Sequence, residues 1–258
     1  MAGPIIALTT DFGQGSTYVA QLKAVLLGSL PEANLVDISH GIAAQSILEA
    51  ELSLRATAYI FPEGSVHLVV VDPGVGSLRQ PIAVESRGRF FVGPDNGVFG
   101  QLAAAPEARA VVLNKRHLFR EPVSNTFHGR DIFAPVAAEL AGGLTLDDVG
   151  TRVDDWLPGG LVRPGRVGNQ TSVALLCADS FGNVMTNLHL SQFPRKSRIF
   201  LKDKELFLFP CYSDAPRDTL VALFGSDGYL ELAVRDGSAV SALDPDWSST
   251  PLVVEHNV

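Results

Sequence analysis

An aspartate and an arginine lie seven residues apart, in a segment whose pattern predicts a buried strand and then a tight loop. Val66–Val71 is an apolar run apart from His67, as is typical of a strand buried on both faces of a parallel sheet. Asp72 follows it, and Pro73 and two glycines favour a turn before Arg79. A carboxylate at the end of such a strand lies where open α/β sheets bind ligands. The pair is therefore either part of a ligand site or an ion pair that only holds the turn.

A second carboxylate ends another predicted strand. Asp11 follows the apolar segment Ile5–Thr9, and carboxylates at the same edge of one sheet converge on one crevice. There Asp11 could accept hydrogen bonds from a ribose diol, or it could bind a metal ion. The simpler alternative is a helix N-cap, a position that favours aspartate.

A histidine lies in the polar segment Asn125–Asp131, just before a predicted helix. His128 could take part in chemistry, although a lone histidine is more often structural, and Arg130 and Asp131 could simply cap the helix. The other histidines lack a paired spacing such as HxxxH, so no metal site is assigned to any of them. These are His40, His67, His117, His189 and His256.

Two turns in the second half of the chain carry side chains that suit a nucleoside. In the segment Asp179–Asn183, Phe181 could stack on a flat base and Asn183 could bind the edge of that base. The same sequence is also good hairpin chemistry. The turn that contains Ser226 is a weaker signal, because its sequence GSDG is an ordinary turn.

The elements that must position these residues fall into two groups. Strand and helix patterns alternate through residue 153, which favours a largely parallel sheet with helices on both faces. Residues 154–166 are rich in proline and glycine and lack periodicity, as is typical of a linker. From residue 167 onward, short strands separated by turns, the first of them at Ser172–Cys177, predict a small all-β sandwich or barrel. The predicted fold class is α/β, with an N-terminal domain at 1–153 and a C-terminal domain at 167–258.

The bulk properties exclude several classes of function. A formal charge of −8 over 258 residues argues against a nucleic-acid partner, which requires a basic face. Cys177 and Cys211 lack the CxxC spacing of a zinc site. A signal peptide and an apolar run of membrane-spanning length are both missing, so a cytoplasmic protein without a membrane partner is expected. The dinucleotide-binding, phosphate-loop and nucleophile-elbow motifs are missing as well.

Five motifs in order resemble those of one enzyme family: TTDFG, VVVDPGVGSLR, GPDNGVF, TFHGRDIFAP and DSFGNVMTN, which begin at Thr9, Val69, Gly93, Thr126 and Asp179. The chain resembles the S-adenosyl-L-methionine (SAM) hydroxide adenosyltransferases, or adenosine-forming SAM hydrolases, which are relatives of SAM-dependent fluorinating and chlorinating enzymes. The resemblance implies an α/β domain, a C-terminal β-barrel and no cofactor. It also implies a homotrimer whose active sites lie between the first domain of one subunit and the second domain of its neighbour.

The resemblance also implies roles for individual residues. Asp72, Arg79 and His128 match the family's set that handles the attacking water. Asp11 matches the carboxylate that holds the ribose hydroxyls. No metal ligand is implied, since SAM is the substrate and already carries a good leaving group.

In the second domain the resemblance implies substrate contacts. Asp179 and Asn183 match positions that bind the methionine amino group and the adenine, and Phe181 would stack on the base. Asp227 stands where the halogenating relatives place an arginine for the methionine carboxylate. Recognition of that carboxylate could therefore fall to Ser226, to backbone amides or to another residue.

Three alternatives to SAM hydrolysis stay open at this point. A halogenase of the same fold is disfavoured because an anionic Asp72 would repel a halide. Gln45 is a departure from those relatives, which carry a tryptophan at that position. A metal-dependent phosphatase could use Asp11 and Asp72 together with Asp95 and Asn96. A SAM or adenosine sensor without catalytic activity would have no need of residues that activate water.

Overall fold

The computed structural model of this protein describes residues 3–194 and 196–256. The chain divides into two compact units, Met1–Leu161 and Val162–Val258. The domain boundaries and the linker at 154–166 stay a prediction. Within the described residues, no helix combines the length and the apolar character needed to cross a membrane.

The first unit is built on one mixed seven-stranded sheet whose strand order is β2-β1-β3-β5-β4-β6-β7. The central strand β3 is buried along its whole length, as the apolar run predicted. The strands are β1 (Ile5–Thr10), β2 (Asn34–Ser39), β3 (Val66–Val70), β4 (Pro81–Ser86), β5 (Arg89–Pro94), β6 (Arg109–Leu113) and β7 (Gly150–Val153).

Helices pack on both faces of this sheet, and the side chains of the buried strand β3 alternate between the two helix-covered faces. Leu68 and Val70 of β3 belong to one core cluster, whereas Val69 belongs to another. The first cluster includes residues of α1 and α3, and the second includes residues of α2. The helices of this unit are α1 (Thr17–Ser29), α2 (Ile47–Thr57), α3 (Ala134–Ala141) and α4 (Leu146–Val149).

The prediction of a largely parallel sheet is wrong for half of the strand pairings. Strands β2, β1, β3 and β5 pair in parallel, whereas β4, β6 and β7 join through antiparallel pairs. The cause is local: β4 and β5 are linked only by Arg87 and Gly88, whose φ angles of 48° and 70° form a two-residue hairpin turn. A parallel pair would need a crossover of a dozen or more residues.

The second unit contains two antiparallel sheets, of four and five strands. Their orders are β10-β11-β15-β14 and β13-β12-β16-β9-β8. A short helix, α5 (Ala239–Ala242), follows β15. The strands are β8 (Gly165–Val167), β9 (Gln170–Val173), β10 (Leu175–Ala178), β11 (Val184–His189), β12 (Ser197–Leu201), β13 (Lys204–Leu206), β14 (Leu220–Phe224), β15 (Tyr229–Val234) and β16 (Leu252–His256).

A C-terminal barrel was expected, but the described strands form two open sheets rather than a closed barrel. Val184 and Leu232 of one sheet share a core cluster with Val173 and Val254 of the other, so the sheets meet through side chains. The chain changes sheets at Ala174, which divides the single predicted strand Ser172–Cys177 into β9 and β10.

Candidate active site

The tight loop after β3 brings Asp72 and Arg79 into a two-point ion pair. Arg79 Nε donates to Asp72 Oδ1 at 2.9 Å, and Arg79 Nη2 donates to Asp72 Oδ2. Only 5% of the Asp72 side chain and 9% of the Arg79 side chain are exposed. Arg79 also lies over the ring of Phe133, with its Cζ 5.2 Å from the ring centre. Burial and two-point geometry fix both charged groups in place.

His128 joins this pair from a segment 49 residues further along the chain. Arg79 Nη2 lies 2.8 Å from His128 Nδ1. Because a guanidinium can only donate, Nδ1 must be the acceptor, and the neutral ring then carries its proton on Nε2. Burial and the Arg79 charge lower the pKa of His128 from its usual 6.5, against the smaller opposing effect of Asp72 and Asp131. The site therefore favours the neutral imidazole.

Two glycines allow the His128 segment to approach the Asp72 loop. A Cβ on Gly76, whose φ is 77°, would lie 2.4 Å from the carbonyl oxygen of Asn125. A Cβ on Gly129 would lie 2.9 Å from a methyl group of Val70 at the end of β3. Only glycine permits both contacts without displacement of the backbone. The VGSLR and FHGRD sequences thus encode the meeting of the two loops.

Asp131 anchors the segment that carries His128. Its carboxylate is fully buried and accepts from the backbone N–H of Ser124 at 2.9 Å and from Arg130 Nε at 2.7 Å. Arg130 Nη2 donates a third bond to it at 2.8 Å, and Arg120 Nη1 adds a fourth, longer one at 3.3 Å. Asp131 lies inside a π-helical turn, Gly129–Phe133, that runs into α3. The charged neighbours of His128 therefore organise its loop and do not cap the helix.

Asp11 lies in the first unit at the end of β1, and it is not the N-cap of α1. Ser16 is that N-cap, with its hydroxyl accepting from the backbone N–H of Tyr18. One carboxylate oxygen of Asp11 accepts from the backbone N–H of Gln45 at 2.8 Å. The N-cap interpretation of Asp11 is wrong, and the carboxylate retains acceptor capacity for a ligand.

The strand ends enclose a cavity of about 270 Å³ in the first unit. Its lining includes Asp11, Asp72 and His128 together with the aromatic side chains of Phe12 and Phe127. Arg79 is not among the described residues that line it. The guanidinium thus lies behind the carboxylate and the imidazole and bonds to both of them.

Two of the side chains that the metal-dependent phosphatase would use as ligands already form hydrogen bonds to the backbone. Asn96 Nδ2 donates to the carbonyl oxygen of Val71 at 2.8 Å, and Asp95 Oδ1 accepts from the backbone N–H of Leu157 at 2.8 Å. Across the described residues, no group of three or more His, Cys, Asp or Glu side chains is arranged to hold a metal ion.

In the second unit, Asp179 forms the turn that carries Phe181 and Asn183. Asp179 Oδ1 accepts from the backbone N–H groups of Phe181 and Asn183, at 2.9 and 2.8 Å, and Oδ2 accepts from the Asn183 amide at 2.9 Å. These bonds hold the Phe181 ring outward, with 78% of the residue exposed. The hairpin interpretation is therefore correct for the backbone, and it leaves the aromatic face available.

The predicted binding residues of the second unit line one cavity of about 1010 Å³: Asp179, Phe181, Asn183 and Ser226. The same lining contains Tyr212, Glu231 and Arg235, which were not predicted from the sequence. Tyr212 donates from its hydroxyl to Glu231 Oε2 at 2.9 Å. Burial raises the pKa of Glu231, and the charges of Asp227 and Asp179 raise it further. Glu231 and Arg235 belong to β15 or directly follow it, and no local motif marks them.

Comparisons with known proteins match both units. The model of the SAM hydroxide adenosyltransferase N-terminal domain matches residues 6–150, and that of the C-terminal domain matches residues 174–250. The chain is 36% identical to an (R)-S-adenosyl-L-methionine hydrolase of Salinispora arenicola, over 93% of this chain and 94% of that protein. A fluorinase of Nocardia brasiliensis is 28% identical over 89% of this chain and 90% of its own length.

A solved structure of similar fold comes from Thermotoga maritima and is described as an uncharacterized conserved protein. Its TM-score is 0.87 at 32% identity, and the match covers 97% of this chain and 100% of that chain. The likeness therefore extends through both units in sequence and in fold.

Proposed function

Because this chain belongs to the SAM hydroxide adenosyltransferase family, we propose that it hydrolyses SAM to adenosine and L-methionine. The observation that carries the proposal is the hydrogen-bonded set Asp72, Arg79 and His128 at a cavity that Asp11 also lines. The hydrolase of Salinispora arenicola supports the same reaction by its name and its near full-length match.

The reaction is an in-line displacement at the C5′ carbon of SAM. The sulfonium already activates C5′, and methionine leaves as a neutral thioether. A water oxygen forms the new bond to C5′ while the C5′–S bond breaks, and the water gives up one proton. In this proposal Asp72 takes that proton, and the lone pairs that Arg79 leaves on each carboxylate oxygen support the role. Acid–base catalysis of this kind contributes about 10²–10⁴-fold.

His128 orients the water in this proposal. With Nδ1 accepting from Arg79, the Nε2–H group is the free donor, and it can hold one lone pair of the water oxygen. The same oxygen then has its other lone pair directed at C5′. Alignment of this sort adds an entropic contribution to the rate.

Arg79 acts as a positioning residue, since it bonds to Asp72 and His128 but does not line the cavity. Its charge keeps the carboxylate and the imidazole in register, and it fixes the tautomer of His128. Asp11 is proposed to accept hydrogen bonds from the ribose hydroxyls with the acceptor capacity that Gln45 leaves.

The second unit is proposed to bind the rest of the substrate. Phe181 would stack on the adenine, Asn183 and Asp179 would bind the base and the methionine amino group, and Ser226 would contact the methionine end. We also propose a cytoplasmic homotrimer whose active sites combine the first unit of one subunit with the second unit of its neighbour. Native mass spectrometry tests the trimer, and cell fractionation tests the location.

Product analysis tests the proposed function. The purified protein is incubated with SAM in ¹⁸O-labelled water, and chromatography with mass spectrometry should find adenosine that carries the label at its 5′-oxygen, together with methionine. The proposal needs no cofactor, so dialysis against a chelator should leave turnover unchanged. A 5′-halogenated product in high chloride or fluoride would indicate a halogenase, and loss of activity with chelator would indicate a metal enzyme.

A further inference from the structure

The cavity of the second unit is lined by several carboxylates and one cation. Asp179, Glu231 and Asp236 contribute the carboxylates, and Arg235 is the only cationic residue among the described residues that line it. Asp227 adds a nearby negative charge, since it helps raise the pKa of Glu231. A ligand carboxylate in this cavity is therefore repelled from most of the charged lining and attracted to one place.

The hydrogen bonds of Arg235 leave one edge of its guanidinium available. Arg235 Nη1 donates to the carbonyl oxygens of Ser213 and Ala215, at 2.7 and 3.1 Å. The nearest charged partner of Nε is Asp236 Oδ2 at 3.8 Å, which is beyond hydrogen-bond distance. None of the described residues accepts a hydrogen bond from Nε or Nη2. Two adjacent N–H donors on one edge match the two oxygens of a carboxylate.

Another arginine of this chain binds a carboxylate through the same two nitrogen atoms. Arg79 holds the Asp72 carboxylate through its Nε and Nη2 atoms. Arg235 is pre-positioned in a comparable way, because the two carbonyl oxygens fix the opposite side of its planar group. Its side chain is 34% exposed, so a bound ligand would remove it from much of the remaining water.

We infer that Arg235 binds the carboxylate of the methionine moiety and so makes the protein prefer SAM to analogues without that group. The inference rests on the proposed function, and it gives a partner to the one charged group of SAM that Asp227 cannot bind. Ser226, on the same cavity lining, would add at most a neutral hydrogen bond.

The test compares SAM with decarboxylated SAM, which keeps the sulfonium and the amine but lacks the carboxylate. Adenosine formation gives kcat/KM for each compound with the full-length protein. Because the SAM carboxylate would form charged hydrogen bonds with Arg235, the wild-type protein should favour SAM by roughly 10- to 100-fold. Arg235→Met should remove most of that preference by raising KM for SAM, with kcat nearly unchanged. Arg235→Lys should restore only part of the preference.

Arg217→Met is the matched control. Arg217 also pairs with Asp236, with its Nε 3.2 Å from Asp236 Oδ2, but it is not one of the described residues that line the cavity. This variant should keep the preference for SAM. Equal losses for both compounds in Arg235→Met would overturn the inference and indicate a structural role for the bonds to Ser213 and Ala215. Equal effects of the two arginine variants would also overturn it.

The proposed function and this inference fail in different ways. If the wild-type protein forms no adenosine from either compound, the proposed function fails. Equilibrium dialysis with the two compounds then still reports whether wild-type protein distinguishes them and whether Arg235→Met abolishes the difference. If adenosine forms but the Arg235→Met ratio equals that of the wild type, only the inference fails.

Discussion

The two cavities of this protein differ in how their charged groups are held. In the first unit Asp72, Arg79 and His128 bond to one another beside a cavity of about 270 Å³. In the second unit the exposed ring of Phe181 lines a cavity of about 1010 Å³. The turn that carries this ring is stabilised by hydrogen bonds to the Asp179 carboxylate. In the proposed function, the first region holds the reacting groups in place and the second binds the substrate.

This difference gives a rule that experiments can test. Groups that move protons act in the transition state and not in the bound ground state, so their loss lowers kcat. Groups that only contact the ligand bind ground state and transition state alike, so their loss raises KM or Kd. Variants of the proposed proton-handling residues in the first cavity should therefore affect kcat, and variants of residues that only contact the substrate, in either cavity, should affect affinity.

The largest effect is expected from Asp72→Asn. The amide keeps the size of the side chain but cannot take a proton from water, so kcat should fall by about 10²–10⁴-fold. SAM affinity in calorimetry should stay within a few-fold of the wild type. Turnover at the normal rate would show that Asp72 is not the base.

Asp95→Asn is the matched control for this prediction. Asp95 is a carboxylate of the same unit whose raised pKa reflects burial and whose oxygen accepts from Leu157 N–H, and it is not among the described residues of the cavity lining. The Asp95→Asn variant should have the same kcat as the wild-type protein. A loss as large as that of Asp72→Asn would revive the phosphatase alternative, in which Asp95 is a metal ligand.

Much of the first cavity was predictable from local sequence. An apolar run that ends in a carboxylate gives the position of Asp72 at the sheet edge, and seven residues with proline and glycine are enough to return Arg79 to it. The approach of His128 was implied only by resemblance, because Gly76 and Gly129 act through contacts with distant segments. No local pattern encodes such contacts.

The sequence predictions that the structure contradicts failed for the same reason, because no local pattern encodes the features that decide them. The antiparallel half of the first sheet follows from a two-residue turn with positive φ at Arg87, a conformation that is uncommon for arginine. The division of one predicted strand at Ala174 depends on side-chain packing between two sheets, which no alternation pattern reports. Arg235 was missed because β-strand ends carry no sequence mark of the cavity that they face.

Asp11→Ala tests the rule with a residue that lines the first cavity but is proposed to act only in binding. Loss of a charged acceptor for the ribose should weaken SAM binding by roughly 10- to 100-fold, with a smaller change in kcat, as measured by calorimetry and kinetics. Asp11→Asn keeps an acceptor for Gln45 N–H and should lose less. Unchanged affinity in Asp11→Ala would exclude the ribose contact.

Phe181→Leu should have a smaller effect, confined to affinity. Stacking of a base on an aromatic ring contributes about 1 kcal/mol at its weaker end, which corresponds to a roughly fivefold rise in KM. Phe207→Leu is the control, since Phe207 is also an exposed phenylalanine of the second unit and is not among the described residues that line the cavity. Equal effects of the two variants would show that the adenine does not stack on Phe181.

The smallest effect at neutral pH is expected from the titration of His128, and it appears only in acid. Burial and Arg79 place the pKa of His128 below 6.5, so the ring is neutral at pH 7. As the pH falls through the lowered pKa, a proton on Nδ1 would face the Arg79 N–H donor 2.8 Å away and break that bond. In the proposed mechanism the neutral form is active, so kcat should be constant above the usual histidine range and decline below it. A pH profile of kcat, with an NMR titration of the His128 ring, measures both quantities.

His128→Gln should lower kcat at neutral pH and lose this acid limb, because the amide does not titrate. A limb with a midpoint above 6.5, or one that persists in His128→Gln, would assign the titration to another group and remove His128 from the fixed set that distinguishes the first cavity from the second.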